Sequence, residues 1–334
     1  MLALQDILSF PYADPWLQPV SARLSMLYRC ELRIAYFYEA PNNSSFRYRA
    51  YNMAQVLNES IESNVSASYF FLSDSARFDE IADAADILVI CRSRYCHQVS
   101  GLITKFRARR KRVMFDIDDL VFDTDYAHMV VTTLGLDVTQ SGLWDDWFAM
   151  ISRMGQNGQI TLGYFSGTPS HRLDYAIVES ALADVLAERS NVEVMVVGYI
   201  DHGPAMRKFG HRVTRKPFHD YVNLQRLLGT VEFNLMPLQS NAFTDCKSEL
   251  KYFEAASVGT LSIASPSFTY SRAISDGETG YLSKAHEWTE SILRAIDQST
   301  EVYASMATRA REDALRKFGW QHQRDAILNA LQLT

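Results

Sequence analysis

Short, nearly unbroken apolar runs, each followed by a helix-length segment, constrain this chain more than any other feature. Ala85-Asp86-Ile87-Leu88-Val89-Ile90 and Val192-Glu193-Val194-Met195-Val196-Val197 show the pattern best. A strand with one wet face alternates apolar and polar residues. A strand covered on both faces does not, and such strands belong to parallel sheets sandwiched between helices. Runs of this kind recur at 33–38, 67–72, 85–90 and 112–116, with helices expected over 48–57 and 98–110. They recur again at 160–165, 192–197, 231–236 and 261–265, with helices over 171–188, 218–228, 287–297, 300–317 and onward from 321. Between the two series lies Met154-Gly155-Gln156-Asn157-Gly158-Gln159, whose glycines and amides mark a linker.

The expected fold is therefore α/β: two doubly wound, Rossmann-like domains in tandem. The division reads as a lead-in over 1–30 with one or two short helices, a first domain over 31–154 and a linker over 155–159. A second domain spans 160–318, and a terminal helix spans 319–334. With 334 residues and 47% hydrophobic content, two cores are affordable. Ligands in such sheets bind beyond the carboxyl ends of the strands, so the crevice between the domains is the expected site.

A net charge of −6 argues against a nucleic-acid backbone as partner. The run Arg107-Ala108-Arg109-Arg110-Lys111-Arg112 is first a helix C-terminus facing solvent, where cations are favoured. Peripheral contact with an anionic membrane surface is its sharper reading. Cys30, Cys91, Cys96 and Cys246 have no metal-ligand spacing and suit a reduced compartment. With neither a leader segment nor a membrane-spanning stretch in the sequence, a cytoplasmic location is expected.

Several segments carry candidate chemistry. Cys246 to Thr260 passes from a polar loop into a short helix that ends at Gly259, before a buried strand. A helix N-terminus exposes unpaired N–H groups and attracts phosphate, and Lys247 adds a full charge there. Glu254 lies two turns on, where a carboxylate can accept from a pair of sugar hydroxyls. An ordinary amphipathic helix with a solvated lysine and glutamate is the competing reading. The stretch from Gly163 to Asp174 includes Ser166, Gly167 and Thr168, whose backbone and hydroxyls can hold phosphate, or Thr168 and Ser170 simply cap the next helix. His171 and Arg172 then begin that helix against its dipole. Asp116, Asp118 and Asp119 close a first-domain strand and can bind hydroxyls, bind Mg²⁺, serve as a base, or shape a turn and cap a helix, with hydroxyls preferred and Mg²⁺ second. Arg47 and Arg49 follow the first strand and can meet an anion or face solvent.

Taken in order, these segments resemble the retaining GT-B glycosyltransferases of the family 4 type. Lys247, Ser248, Lys251 and Glu254 fit the K-S-x-x-K-x-x-E pattern of a subgroup similar to polysaccharide and rhamnan-type transferases. Phe46-Arg47-Tyr48-Arg49, the 116–122 stretch, the 163–168 loop with His171 and Asp174, and Asp276 to Tyr281 resemble the same subgroup. The resemblance implies a nucleotide-sugar donor, a glycan or lipid-linked acceptor, and retention of anomeric configuration without metal or cofactor. It implies donor binding by Ser166, Gly167, Thr168, Arg172, Lys247, Ser248, Lys251 and Glu254. Asp118, Asp119 and His171 fall at the reacting centre, and Arg47, Arg49 and Asp116 on the acceptor side. Two departures stand out. The family's first glutamate falls on Cys246, and the first domain looks about two strand–helix units short. The shortening motivates a second reading, a non-catalytic homologue that binds nucleotide sugar. A dinucleotide oxidoreductase is a third reading, weakened by the missing glycine fingerprint.

Overall fold

The computed structural model describes residues 11–42, 45–59, 64–117, 158–167, 171–201, 203–319 and 322–333. By its internal contacts the chain divides into two units. One comprises Ala13–Val138 with Phe318–Thr334, and the other Thr139–Lys317 with Met1–Tyr12.

The first unit runs α1 (Val20–Leu27), β1 (Leu32–Tyr38), α2 (Asn52–Glu59), β2 (Val65–Phe71), α3 (Phe78–Ala84), β3 (Ile87–Cys91), α4 (His97–Ala108) and β4 (Arg112–Asp116). Among its described residues the four strands are parallel, in the order β2-β1-β3-β4. Strand β1 shows why the apolar run was unbroken. Ile34, Tyr36 and Tyr38 enter one cluster with Trp16, Phe46 and Leu57, while Ala35 and Phe37 enter another with Leu27, Phe78 and Phe106. Alternate side chains leave opposite faces, and here both faces are cores.

The helix expected over 48–57 differs in form. A π-helical turn over Arg47–Tyr51 precedes α2, and all five of its side chains are buried. No solvent-facing stripe remains there to give the 3.6-residue alternation of a surface helix. The basic run is also less free than its sequence implies. Arg109 pairs with Asp83 at 2.6 Å, Lys111 Nζ donates to the Asp83 carbonyl at 2.7 Å, and Arg112 Nη1 donates to the Leu331 carbonyl.

The second unit runs β5 (Ile160–Ser166), α5 (Arg172–Glu188), β6 (Val192–Gly198), α6 (Pro204–Arg207), β7 (Val213–Lys216), α7 (Tyr221–Leu228) and β8 (Phe233–Met236). It continues through α8 (Ala242–Asp245), α9 (Leu250–Ser257), β9 (Leu261–Ala264), α10 (Phe268–Ala273), β10 (Tyr281–Leu282), α11 (Trp288–Ile296) and α12 (Thr300–Phe318). The six strands among its described residues are all parallel, in the order β7-β6-β5-β8-β9-β10. That order is 3-2-1-4-5-6 within the unit, and the direction of winding reverses between β5 and β8. The last helix, α13 (Arg324–Ala330), packs with the first unit, where Ile327 and Leu331 join the cluster containing Leu57. Among the described residues no helix is long and apolar enough to cross a membrane.

Candidate functional site

The site grows from the carboxyl ends of β5 and β8, where the second sheet reverses its winding. Gly198, at the end of β6, has φ +101° and pairs with Ser166. A Cβ there would lie 2.0 Å from the Ser166 carbonyl oxygen, so only glycine lets β6 close against this end of β5. Ser166 is buried and Gly167 exposed, while Thr168, Asp118 and Asp119 lie outside the described residues.

Helix α5 begins beside this end. Its N-cap is His171, with no side-chain cap, and Asp174 is the acid of its first turn. His171 Nδ1 lies 3.0 Å from Asp174 Oδ2, and Asp174 Oδ1 accepts the Gln239 backbone N–H at 3.1 Å. One carboxylate thus binds the first turn of α5 to the loop after β8, across the point where the sheet reverses. It also supplies the negative charge that a helix N-terminus favours, which offsets His171 and Arg172 there without a bound anion. The Tyr164 hydroxyl donates to the His171 carbonyl at 3.1 Å.

Two lysines approach the same place. Helix α9 starts after Glu249, its N-cap, with no side-chain cap, so its first N–H groups have no intrahelical acceptor. It ends as the sequence implied. Gly259 has φ +84°, its N–H donates to the Ala256 carbonyl at 3.0 Å, and the Thr260 N–H donates to the Ala255 carbonyl at 3.0 Å. This is the paired closure of a helix on a left-handed glycine. Lys251 Nζ sits 5.5 Å from the Tyr164 ring centroid, and Lys247 Nζ sits 4.7 Å from that of Phe243. Ser248 is half-buried beside them, and Glu254 is 7% exposed.

The electrostatics follow from this crowding. Burial pushes the Lys251 ammonium down to about 8; Asp174 and Glu254 resist the fall and Lys247 adds to it. Asp174 favours protonation of His171 through their hydrogen bond, but burial, Lys251 and Lys247 outweigh it, and the ring's pKa falls below its ordinary 6.5. Burial disfavours the Asp174 carboxylate, yet the hydrogen bonds from His171 and Gln239 outweigh it and hold its pKa below the ordinary value. A neutral His171 that donates from Nδ1 presents Nε2 as an acceptor. The assembly is a cationic corner beside a helix N-terminus, with an oriented imidazole at its edge: a fit for a di-anion carrying hydroxyls.

The comparisons with known proteins fall on this geometry. Residues 160–300, the unit that builds the corner, match the family model described as "Glycosyl transferases group 1". No curated protein matches the chain. Among solved structures, Anabaena Alr3699/HepE in complex with UDP and glucose superposes with a TM-score of 0.62 at 12% identity, covering 91% of this chain and 100% of that one. A glycosyltransferase from Rickettsia africae gives 0.59 at 12% identity, covering 90% and 99%. An apo OtsA structure gives 0.55 at 10% identity, with the same coverages of 90% and 99%.

The fold is GT-B.

Within the GT-B fold the remaining expected residues take distinct places. Arg49 and Asp116 meet each other, with Arg49 Nε donating to Asp116 Oδ2 at 2.7 Å and Nη2 contacting Oδ1. The Arg49 side chain is 4% exposed and that of Asp116 21%, so the acid faces outward. Arg47 is buried, its guanidinium 4.7 Å from the Trp16 ring centroid. Arg172 departs from its neighbour His171. It lines a cavity of about 550 Å³ with Tyr175, Glu179, Tyr199 and Arg207. Gln239 escaped the sequence reading because it acts through its backbone N–H, which any residue but proline has. Asp174 was visible only as part of a family pattern.

Proposed function

We propose that this chain is a glycosyltransferase that moves a sugar from a nucleoside diphosphate donor to a hydroxyl of a glycan or lipid-linked acceptor. One observation carries the reading: Lys247, Lys251, the start of α9 and the His171–Asp174 pair share one electrostatic neighbourhood where the second sheet reverses its winding. The family match over residues 160–300 and the UDP-bound neighbours support it.

Lys247, Lys251, Ser248 and the α9 amides hold the diphosphate, together with Ser166, Gly167 and Thr168. Glu254 accepts from the ribose hydroxyls. As the bond from the anomeric carbon to the phosphate oxygen breaks, the bond to the acceptor oxygen forms on the same face. Bond making on the face the phosphate leaves retains configuration, and the acceptor proton passes to the departing phosphate. The developing charge on the leaving group is stabilised by lysines already in place, which makes transfer independent of metal. His171 Nε2 accepts from a sugar hydroxyl, and Asp118 and Asp119 orient the acceptor. Asp116 meets the acceptor with Arg49 behind it, and Arg47 supports that wall from the core. The product fits polysaccharide or cell-surface glycan synthesis. The ion pairs of Arg109 with Asp83 and Asp79 leave less positive charge for an anionic membrane than the bare sequence implies. The Anabaena neighbour is spanned over 100% of its length by this chain, so a GT-B fold is built within a comparable length.

Calorimetry with UDP, GDP and dTDP tests the proposal. One of them binds, and Lys247→Ala and Glu254→Gln each weaken binding at least tenfold. The reading fails if no nucleotide binds, or if both variants bind as the wild type does.

A further inference from the structure

We propose that the cavity beside α5 is a second ligand site, built for a phosphorylated sugar and separate from the diphosphate corner. Arg172, Tyr175 and Glu179 stand on one face of α5, at spacings of three and four residues. Opposite them, Tyr199, Ile200, Asp201, Gly203, Pro204 and Arg207 close a space of about 550 Å³, large enough for a hexose with a phosphate.

The interior of this space is polar and unanswered. Glu179 Oε1 is shielded from solvent and has no hydrogen-bond partner among the described residues, and neither has the hydroxyl of Tyr175, a residue 1% exposed. Buried polar atoms are normally paired, so two orphans lining one cavity point to an absent partner. Gly203 makes room for the Glu179 carboxylate. A Cβ at that position would lie 2.5 Å from Glu179 Oε1 and 2.7 Å from Oε2. Its φ of −78° is open to any residue, so lack of a side chain, and not backbone freedom, is what the position uses.

The rim carries the opposite charge. Arg172 and Arg207 are exposed and have no acidic partner among the described residues, whereas Asp201 is occupied by Arg215 at 2.6 Å. A ligand that answers both halves offers hydroxyl donors to Glu179 and Tyr175 and an anion to the arginines. Glucose alone leaves the arginines unanswered, and inorganic phosphate alone leaves Glu179 unanswered. The exposed Tyr199 ring stacks on Phe218 at 6.0 Å and gives the mouth a flat wall. Between this cavity and Lys251 stand two rings, Tyr164 and Tyr175, 4.9 Å apart. The inference therefore stands whether or not the diphosphate corner binds a nucleotide.

Calorimetry on the full chain with glucose 6-phosphate, glucose and inorganic phosphate tests it. Glucose 6-phosphate binds at least tenfold more tightly than either fragment. Glu179→Gln, Gly203→Ala and Arg207→Ala each weaken it at least tenfold, while Lys247→Ala leaves it unchanged. Circular dichroism and melting curves confirm that each variant is folded; the Gly203→Ala methyl meets only the end of a flexible side chain and is tolerated. The proposal is overturned if none of the three probes binds, if phosphate binds as tightly as the sugar phosphate, if folded cavity variants bind normally, or if Lys247→Ala alone abolishes binding.

Discussion

The Asp174 carboxylate holds the Gln239 backbone N–H at 3.1 Å while its other oxygen faces His171 Nδ1 at 3.0 Å. The first turn of α5 and the loop after β8 are thereby fixed to each other through one side chain. Asp174→Ala leaves the Gln239 amide and the imidazole without this partner, at a cost of about 1–3 kcal/mol. Urea denaturation is expected to show that loss, and calorimetry a tenfold or greater loss of nucleotide affinity. Unchanged affinity would remove this link from the binding site.

Lys251 has a folded pKa of about 8 against an ordinary 10.5. Below pH 8 both folded and unfolded chains carry the proton, and the folded state bears the full cost of a crowded ammonium. Between pH 8 and 10.5 the unfolded chain keeps a proton that the folded chain has released, so stability rises with pH across that window. Lys251→Met is expected to be more stable than wild type at pH 7 by roughly 1–3 kcal/mol, an advantage that shrinks toward pH 10.5. Nucleoside diphosphate affinity of the wild type falls as pH rises through 8, and the variant lacks that dependence.

His171 titrates below its ordinary 6.5 in the folded chain. In the window between its folded value and 6.5 the unfolded chain binds the proton and the folded chain does not. Stability contributed by this group is complete above 6.5 and declines as pH falls through the window. Melting temperature against pH is expected to fall less steeply below 6.5 in His171→Asn than in wild type. Parallel curves would show that the ring carries the same proton in both states.

Asp116→Ala is expected to take the carboxylate away from the Arg49 guanidinium, whose side chain is only 4% exposed. Removing one partner of a buried pair costs about 3–5 kcal/mol, whereas replacing both by apolar residues is close to neutral. The denaturation midpoint of Asp116→Ala should drop sharply, and Arg49→Met/Asp116→Leu should recover most of it. A midpoint for Asp116→Ala near that of wild type would mean that Arg49 finds another acceptor.

Where the sequence was read well, burial on both faces was the reason. Strands β1, β3, β5 and β6 announce themselves because neither face needs a polar residue. Strand β7 passed unnoticed because Val213-Thr214-Arg215-Lys216 lies at the sheet edge with two exposed residues, so its pattern is that of a loop. Strand β10, with two residues, is too short to show any period. Within the site, Lys247, Lys251, Glu254 and His171 were legible as ionisable groups at helix starts and within α9. The pairing of Arg49 with Asp116 was not, because 67 residues separate them and only the folded sheet brings the two together. Glu179 and Gly203 were hidden for the same reason, and a glycine acting through its small size leaves no local mark.

The packing of Ile327 and Leu331 against the first sheet has a consequence for biosynthesis. Domains usually fold in the order in which they leave the ribosome. Here the amino-terminal sheet emerges first, yet Ile327 and Leu331 join its core only after the six-stranded sheet has been translated. The earliest unit to emerge is the last to be finished, and trimming the carboxyl end should register as weakness at the opposite end of the polypeptide.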